Sequence, residues 1–197
     1  ADWQTHQVCD DGRRLAFTVK HGRQELGRFS CPAMGRMNVR NALGVSALAS
    51  MLGLTAEDIA PGLDGFLGTE RRQELIGQVN GITIIDDFAH HPTAVTVMIE
   101  AARLRYPQCR LWAVFEPRSN TCRRRIFQQP LTDALGGADR VILGPVFTKP
   151  QDALDAAELF SPAELATDLR ALGKHAFAGQ SVDEICALLA NECQAGD

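Results

Sequence analysis

No apolar run in this chain of 197 residues is long enough to cross a bilayer. The N-terminal stretch lacks the basic-then-apolar pattern of a secretory leader. Positive charge is not in excess: 20 Lys and Arg stand against 24 Asp and Glu, for a net charge of −4. That balance argues against nucleic acid or an anionic membrane as a general partner. Cys-x-x-Cys pairs are missing too. The six cysteines stand apart at positions 9, 31, 109, 122, 186 and 193. They read as reduced, structural thiols of a cytoplasmic protein and not as a disulfide framework or a metal site. Neither G-x-x-x-x-G-K-[ST] nor G-x-G-x-x-G occurs, so any phosphate cradle for ATP is expected outside this chain. There is no internal repeat and no low-complexity segment. A hydrophobic content of 45% and a charged content of 22% allow a sizeable core.

The pattern changes near residue 70. Before it, residues 15–20 and 25–29 predict a β-hairpin, with the His21-Gly22 turn between them. Residues 38–52 predict an apolar helix. Thr55 with Asp58 has the spacing of a helix N-terminus, and the helix it opens soon meets Pro61 and Gly62. Residues 65–68 read as a linker. After it, strands are expected at 73–79, 82–86, 110–115, 140–143 and 174–178. Helices are expected at 93–105, 123–135, 162–172 and 182–192. Ser161 and Ser181 mark two helix starts, each with a glutamate three residues on. Strands alternating with helices imply α/β architecture: a Rossmann-like, mainly parallel sheet with flanking helices. The first 65 or so residues make a thin core by themselves. They read as the tail of a domain that begins upstream.

Four stretches carry residues able to do chemistry. Asp86-Asp87-Phe88-Ala89-His90-His91-Pro92-Thr93 follows the apolar strand 82–85, and ligands of open α/β sheets bind at carboxyl ends of strands. A carboxylate there can take a ribose diol or a metal, and histidine can act as acid, base or ligand. The plainer reading is that Asp87 caps the next helix and the histidines are polar loop residues. Zinc is disfavoured, because no other His or Cys spacing supports it. Glu116-Pro117-Arg118-Ser119-Asn120-Thr121-Cys122-Arg123-Arg124-Arg125 follows another apolar strand. Guanidinium forks match carboxylates and phosphates, and amides at a helix start add to an anion site. Its plainer reading is a solvated basic turn with one arginine on Glu116. Gly35-Arg36-Met37-Asn38-Val39-Arg40-Asn41 sets two asparagines on one face of a helix start, where on the residues alone Asn38 reads as an ordinary N-cap. Glu70-Arg71-Arg72-Gln73-Glu74 is a phosphate-binding junction or a charged linker.

In combination and in this order, the four stretches resemble the Mur ligase family of amide-forming enzymes. The motifs are G-x-x-N-x-x-N, an R-R-x-E junction, D-D-F-A-H-H-P-T and E-P-R-S-N-T-x-R-R-R, and the likeness spans roughly residues 30 to 195. The resemblance implies that residues 1–68 are the end of a central ATP-binding domain and that 69–197 form a C-terminal Rossmann-like domain. It implies a cytoplasmic, ATP- and Mg2+-dependent ligase of cell-wall metabolism, with magnesium held mainly outside this chain and no metal site within it. The second motif resembles the branch that joins a free murein tripeptide, L-Ala-γ-D-Glu-meso-diaminopimelate, to UDP-N-acetylmuramate during peptidoglycan recycling. The alternative amine is L-alanine. A non-catalytic peptide- or nucleotide-binding module is a further alternative. In the implied reaction the muramoyl carboxylate becomes an acyl phosphate, which the incoming amine attacks. Carried over residue by residue, Asn38 and Asn41 serve adenine, Arg72 the nucleotide phosphates and Asp87 the ribose. Asp87 and His90 stand at the reacting groups. Phe88, His91, Arg118, Ser119, Asn120, Thr121, Arg123 and Arg124 form the peptide pocket. Met37 and Glu70 depart from the usual histidine and lysine. The fragment alone is expected to be inactive.

Overall fold

A computed structural model describes residues 2–33, 35–119, 122–146 and 158–197. The expected site residues Asn120 and Thr121 lie outside the described residues. Two compact units emerge. One is Ala1–Glu74 with Glu100–Pro107, the other Leu75–Ile99 with Gln108–Asp197.

The first unit opens with three antiparallel strands in the order β1 (Trp3–Asp10), β2 (Leu15–His21), β3 (Gln24–Cys31). The sequence predicted only the hairpin of the last two. β1 is mostly polar and largely exposed along an edge, so it carries little hydrophobic signal. Leu15, Phe17 and Val19, all fully buried, alternate along one face of β2. That face packs with Phe29, Val39, Ala42, Ile59 and Leu63 into a small core. Full burial of each of the three large β2 side chains is worth roughly 1.5–3 kcal/mol. Helix α1 (Arg36–Met51) is capped by Gly35 at φ 81°, with no side-chain bond. Asn38 therefore sits inside the helix, and its reading as the N-cap is not realised. Helix α2 (Ala56–Asp64) has the full reciprocal box of Thr55 and Asp58, and it continues through Pro61. Proline forfeits one ladder bond. The reciprocal cap and the burial of Ile59 and Leu63 on one face hold the helix together around it.

In the second unit the strands β4 (Glu74–Val79) and β5 (Ile82–Asp86) form a two-stranded sheet joined at Asn80-Gly81. Both turn residues have positive φ, 51° and 79°, the conformation that makes Asn-Gly a hairpin turn. Strands β6 (Trp112–Phe115), β7 (Arg140–Leu143) and β8 (His175–Ala178) form a parallel sheet with Phe115, Leu143 and Ala178 in register at its carboxyl edge. The helices are α4 (Gln128–Leu135), α5 (Pro162–Ala171), α6 (Val182–Glu192) and the first half of α3 (Pro92–Arg105), whose residues from Glu100 on belong to the first unit. β7 is central, and Val141, Ile142 and Leu143 are each at most 1% exposed. They reflect a parallel strand covered on both faces. Leu131, Leu135, Leu165 and Leu169 complete this core.

One expectation needs correction, at the start of α4. Among the described residues β4–β5 and β6–β8 form two separate sheets. Between β5 and β6 the backbone groups bond the segment 196–197: Gly196 N–H donates to Gly81 O, Thr83 N–H to Asp197 O, and Arg110 N–H to Gly196 O. The helix predicted from Arg123 begins later. Arg123 and Arg124 precede a 3-10 turn, Arg125–Phe127, and α4 starts only at Gln128.

Candidate functional site at the strand ends

The loop after β5 is held by local bonds. Ala89 N–H donates to Asp87 Oδ1 at 2.7 Å, closing a turn ahead of α3. Because α3 begins only at Pro92, Asp87 is too far upstream to be its N-cap. His90 Nδ1 lies 3.0 Å from the Phe88 carbonyl oxygen, and the rings of Phe88 and His90 meet edge to face at 5.1 Å. A carbonyl only accepts, so that bond puts the ring proton of neutral His90 on Nδ1 and leaves Nε2 as the acceptor. His91 is held the other way. Its Nδ1 accepts from Thr93 N–H at 3.4 Å, so Nε2 carries the proton. The two adjacent imidazoles thus present an acceptor and a donor, respectively.

The loop after β6 turns on Ser119. Cys122 N–H donates to Ser119 Oγ at 3.1 Å and Arg123 N–H to Ser119 O at 3.2 Å. Cys122 is buried at 1% exposure and keeps the turn against the core. The arginines then part. Arg123 is 2% exposed and lies inside the unit, while Arg118 and Arg124 face solvent. Glu116 lies 3.8 Å from Arg118 and is itself half exposed, a surface pair of little energetic weight.

His91 and Phe127 bring the two loops together. Their rings meet edge to face, 5.5 Å between centroids at 73°. Phe127 was not singled out from the sequence, because an aromatic in a helical apolar pattern reads as core. Its half-buried position beside the histidine motif follows only from the fold. Phe88, also assigned to the site, is 48% exposed.

The remaining assigned residues belong to the first unit. Asn41 Nδ2 donates to Asn38 Oδ1 at 3.1 Å, and Asn38 Nδ2 to Gln73 Oε1 at 3.3 Å. The helix asparagines and the 70–74 junction therefore share one polar network. In that junction Arg71 N–H donates to Glu74 Oε2 at 2.7 Å and Arg72 N–H to Thr69 O at 3.2 Å. Amides that carry both a donor and an acceptor suit a nucleobase edge, and a guanidinium suits phosphate. Asp87, in the second unit, offers a carboxylate of the kind that takes a ribose diol. Among the described residues no group of three or more His, Cys, Asp or Glu gathers as a metal-ligand set.

A cavity of about 280 Å3 opens elsewhere, lined by Trp112, Arg140 and His175 among others. These are the first residues of β6, β7 and β8, so the cavity lies at the amino edge of the sheet. Ligands of such sheets bind at the opposite edge, and the strand-end loops are the better candidate despite their shallow form.

A three-stranded parallel sheet flanked by helices, with polar loops at the carboxyl ends of the strands, defines a Rossmann-like unit. The chain belongs to the Mur ligase family: residues 71–197 match the family model "Mur ligase, glutamate ligase domain". Among curated relatives, the UDP-N-acetylmuramate–L-alanine ligase of Chlorobium phaeobacteroides is 33% identical over 198 residues, covering 100% of this chain and 42% of that protein. Among solved structures, a murein peptide ligase of Psychrobacter arcticus is 33% identical with a TM-score of 0.67, covering 100% of this chain and 40% of the other. The UDP-N-acetylmuramate-alanine ligase of Thermotoga maritima has a TM-score of 0.81 at 20% identity, covering 99% of this chain and 40% of the other. That likeness supports the α/β fold. The chain spans about two-fifths of the length of these relatives. No helix among the described residues is long and apolar enough to cross a membrane.

Proposed function

We propose that the chain is the C-terminal part of an ATP-dependent ligase that forms an amide between UDP-N-acetylmuramate and the free amine of L-alanine or of a murein tripeptide. Residues 1–68 would close the central nucleotide-binding domain, and 69–197 would bring the amine. The observation that carries this reading is the meeting of the D-D-F-A-H-H-P-T loop with the arginine loop through His91 and Phe127, in a domain of this family.

ATP supplies the phosphoryl group that turns the muramoyl carboxylate into an acyl phosphate. The residues of this chain bind and orient. Asn38 and Asn41 read adenine, Arg72 meets the phosphates, and Asp87 takes the ribose. Magnesium, held mainly outside this chain, would balance phosphate charge. His90, with Nε2 as acceptor, takes a proton from the attacking ammonium or amine and helps orient it. Asp87 stands beside it at the reacting groups. Phe88, His91, Arg118, Ser119, Asn120, Thr121 and Arg124 hold the amine substrate, with Arg123 shaping the pocket from within. Catalysis on this reading is mostly positioning and charge neutralisation.

The names of the curated relatives back L-alanine as the amine better than the tripeptide. The tripeptide remains as a second reading because of the run Arg118-Ser119-Asn120-Thr121 with Arg123 and Arg124, and because of the 33% identity to the Psychrobacter enzyme. A peptide with several carboxylates needs fixed cations. The reaction would belong to peptidoglycan biosynthesis in the first case and recycling in the second. Both place the protein in the cytoplasm, without nucleic acid or membrane as partner.

The test is phosphate release from ATP by the full-length protein with UDP-N-acetylmuramate and each amine in turn. Release with one amine alone names the substrate. Release with neither refutes the ligase reading and leaves a non-catalytic binding module.

A further inference from the structure

The arginine loop is fastened from a direction its sequence does not suggest. The segment ahead of α5 runs beside it. Phe160 N–H donates to Arg123 O at 2.8 Å, and Arg124 forms an antiparallel bridge with Leu159. Gln128, the first residue of α4, continues this short ladder with its side chain. Its Nε2 donates to Ser161 O at 3.0 Å, and its Oε1 accepts from Ser161 N–H at 3.1 Å. One amide thus makes both bonds of an antiparallel pair to a single residue. Ser161 is in turn the N-cap of α5, its hydroxyl accepting from Glu164 N–H at 3.2 Å. Glu164 then reaches back to Arg125, with Oε2 2.7 Å from the guanidinium. Gln128 is half-buried, so water competes weakly for its bonds, whereas the Arg125–Glu164 pair is half exposed at both ends. Gln128 is therefore the stronger of the two ties.

We propose that Gln128 is a positioning residue for amine-substrate recognition: it locks residues 123–124 against 159–161 and so fixes where Arg124 is presented. The claim rests on the ligase reading above. Both polar atoms of the Gln128 amide are bonded to Ser161. It acts through the backbone of the loop that carries Arg124. Loss of both bonds leaves two partly buried backbone groups of Ser161 without this partner and lets the loop sample other geometries. The cost should fall on the amine side, because the nucleotide residues Asn38, Asn41 and Arg72 lie in other segments.

The experiment uses the full-length protein with the amine that it turns over, and three variants. Gln128→Leu keeps the bulk and removes both bonds. Gln128→Glu keeps the acceptor for Ser161 N–H and loses the donor. Glu164→Gln weakens only the exposed tie. The expected result for Gln128→Leu is a rise in KM for the amine of about tenfold, with KM for ATP within about twofold and a smaller change in kcat. Gln128→Glu should raise the amine KM as well, because a carboxylate oxygen then faces Ser161 O, and Glu164→Gln should stay near the wild type. Amide exchange at Phe160 should speed up in Gln128→Leu, a readout independent of turnover. Equal rises in both KM values, or an unchanged amine KM with only a lower melting temperature, would overturn the positioning role and reduce Gln128 to a structural tie. Wild-type turnover separates the two claims: no turnover with either amine overturns the ligase reading itself.

Discussion

The contact between His91 and Phe127 decides whether the two strand-end loops act as one site, and a double-mutant cycle measures it. Edge-to-face ring pairs contribute about 0.5–1.5 kcal/mol beyond area burial. The geometry here, 5.5 Å and 73°, is within the favourable range. His91 is exposed and Phe127 only half-buried, so water claims part of the interaction. A coupling energy of about 0.5–1 kcal/mol is expected, at the lower end of that range. Three variants are needed: His91→Ala, Phe127→Ala and the double substitution. Urea unfolding gives the stability of each, and the coupling is the departure from additivity. Phe127→Ala alone should cost more than His91→Ala, because Phe127 also packs against the core around Leu131 and Leu135. Additivity within about 0.3 kcal/mol would refute the pairing of the loops. It would also remove the observation that carries the proposed function.

Four further outcomes follow from named contacts. In the full-length enzyme Arg124→Ala should raise the apparent KM for the amine more than that for ATP, and equal effects would count against an amine-side role. Leu143→Ala in the fully buried central strand should cost about 2–5 kcal/mol in denaturant unfolding, and a loss under about 1 kcal/mol would mean that β7 is not the core strand described here. Gly179→Ala sets a new Cβ about 2.5 Å from Ile185 Cγ1, so Ile185 on α6 must move; a melting temperature equal to that of the wild type would contradict this close approach. Asp58 is held below the usual carboxylate range, first by the Thr55 backbone N–H and then by the Thr55 hydroxyl. Its contribution is therefore present above the unfolded carboxylate pKa and is lost as pH falls through the lowered folded value. Asp58→Asn should flatten that acid limb of stability, and identical pH profiles in the two proteins would show that the box contributes nothing.

Local rules carried far in this chain. β5, β7 and α6 have the predicted bounds, because each is a short, strongly patterned run with clear punctuation. Ser161 and Ser181 cap their helices as the spacing required. In the second case, however, the Glu184 carboxylate takes the amide of Gln180 and completes a wider turn. Where the sequence misled, a longer-range competitor had won. The polar edge strand β1 is held by pairing with β2, which no hydrophobic period announces. The turn before α4 tightened because Arg123 is drawn inside and Arg124 pairs with Leu159. Pro61 stays within α2 because burial and capping outweigh one lost bond.

By itself the sequence determined the α/β class, the strand-end position of Asp87, His90 and Arg118, and the membership of a family that the comparisons support. These depend on residue type and short spacing, which the chain carries locally. Only the tertiary structure decided that His91 meets Phe127, that Arg123 is buried while Arg124 is not, and that Gln128 binds Ser161 across the loop. Such pairings join residues far apart in the chain. They are set by which surfaces lose water together, and no local pattern records that.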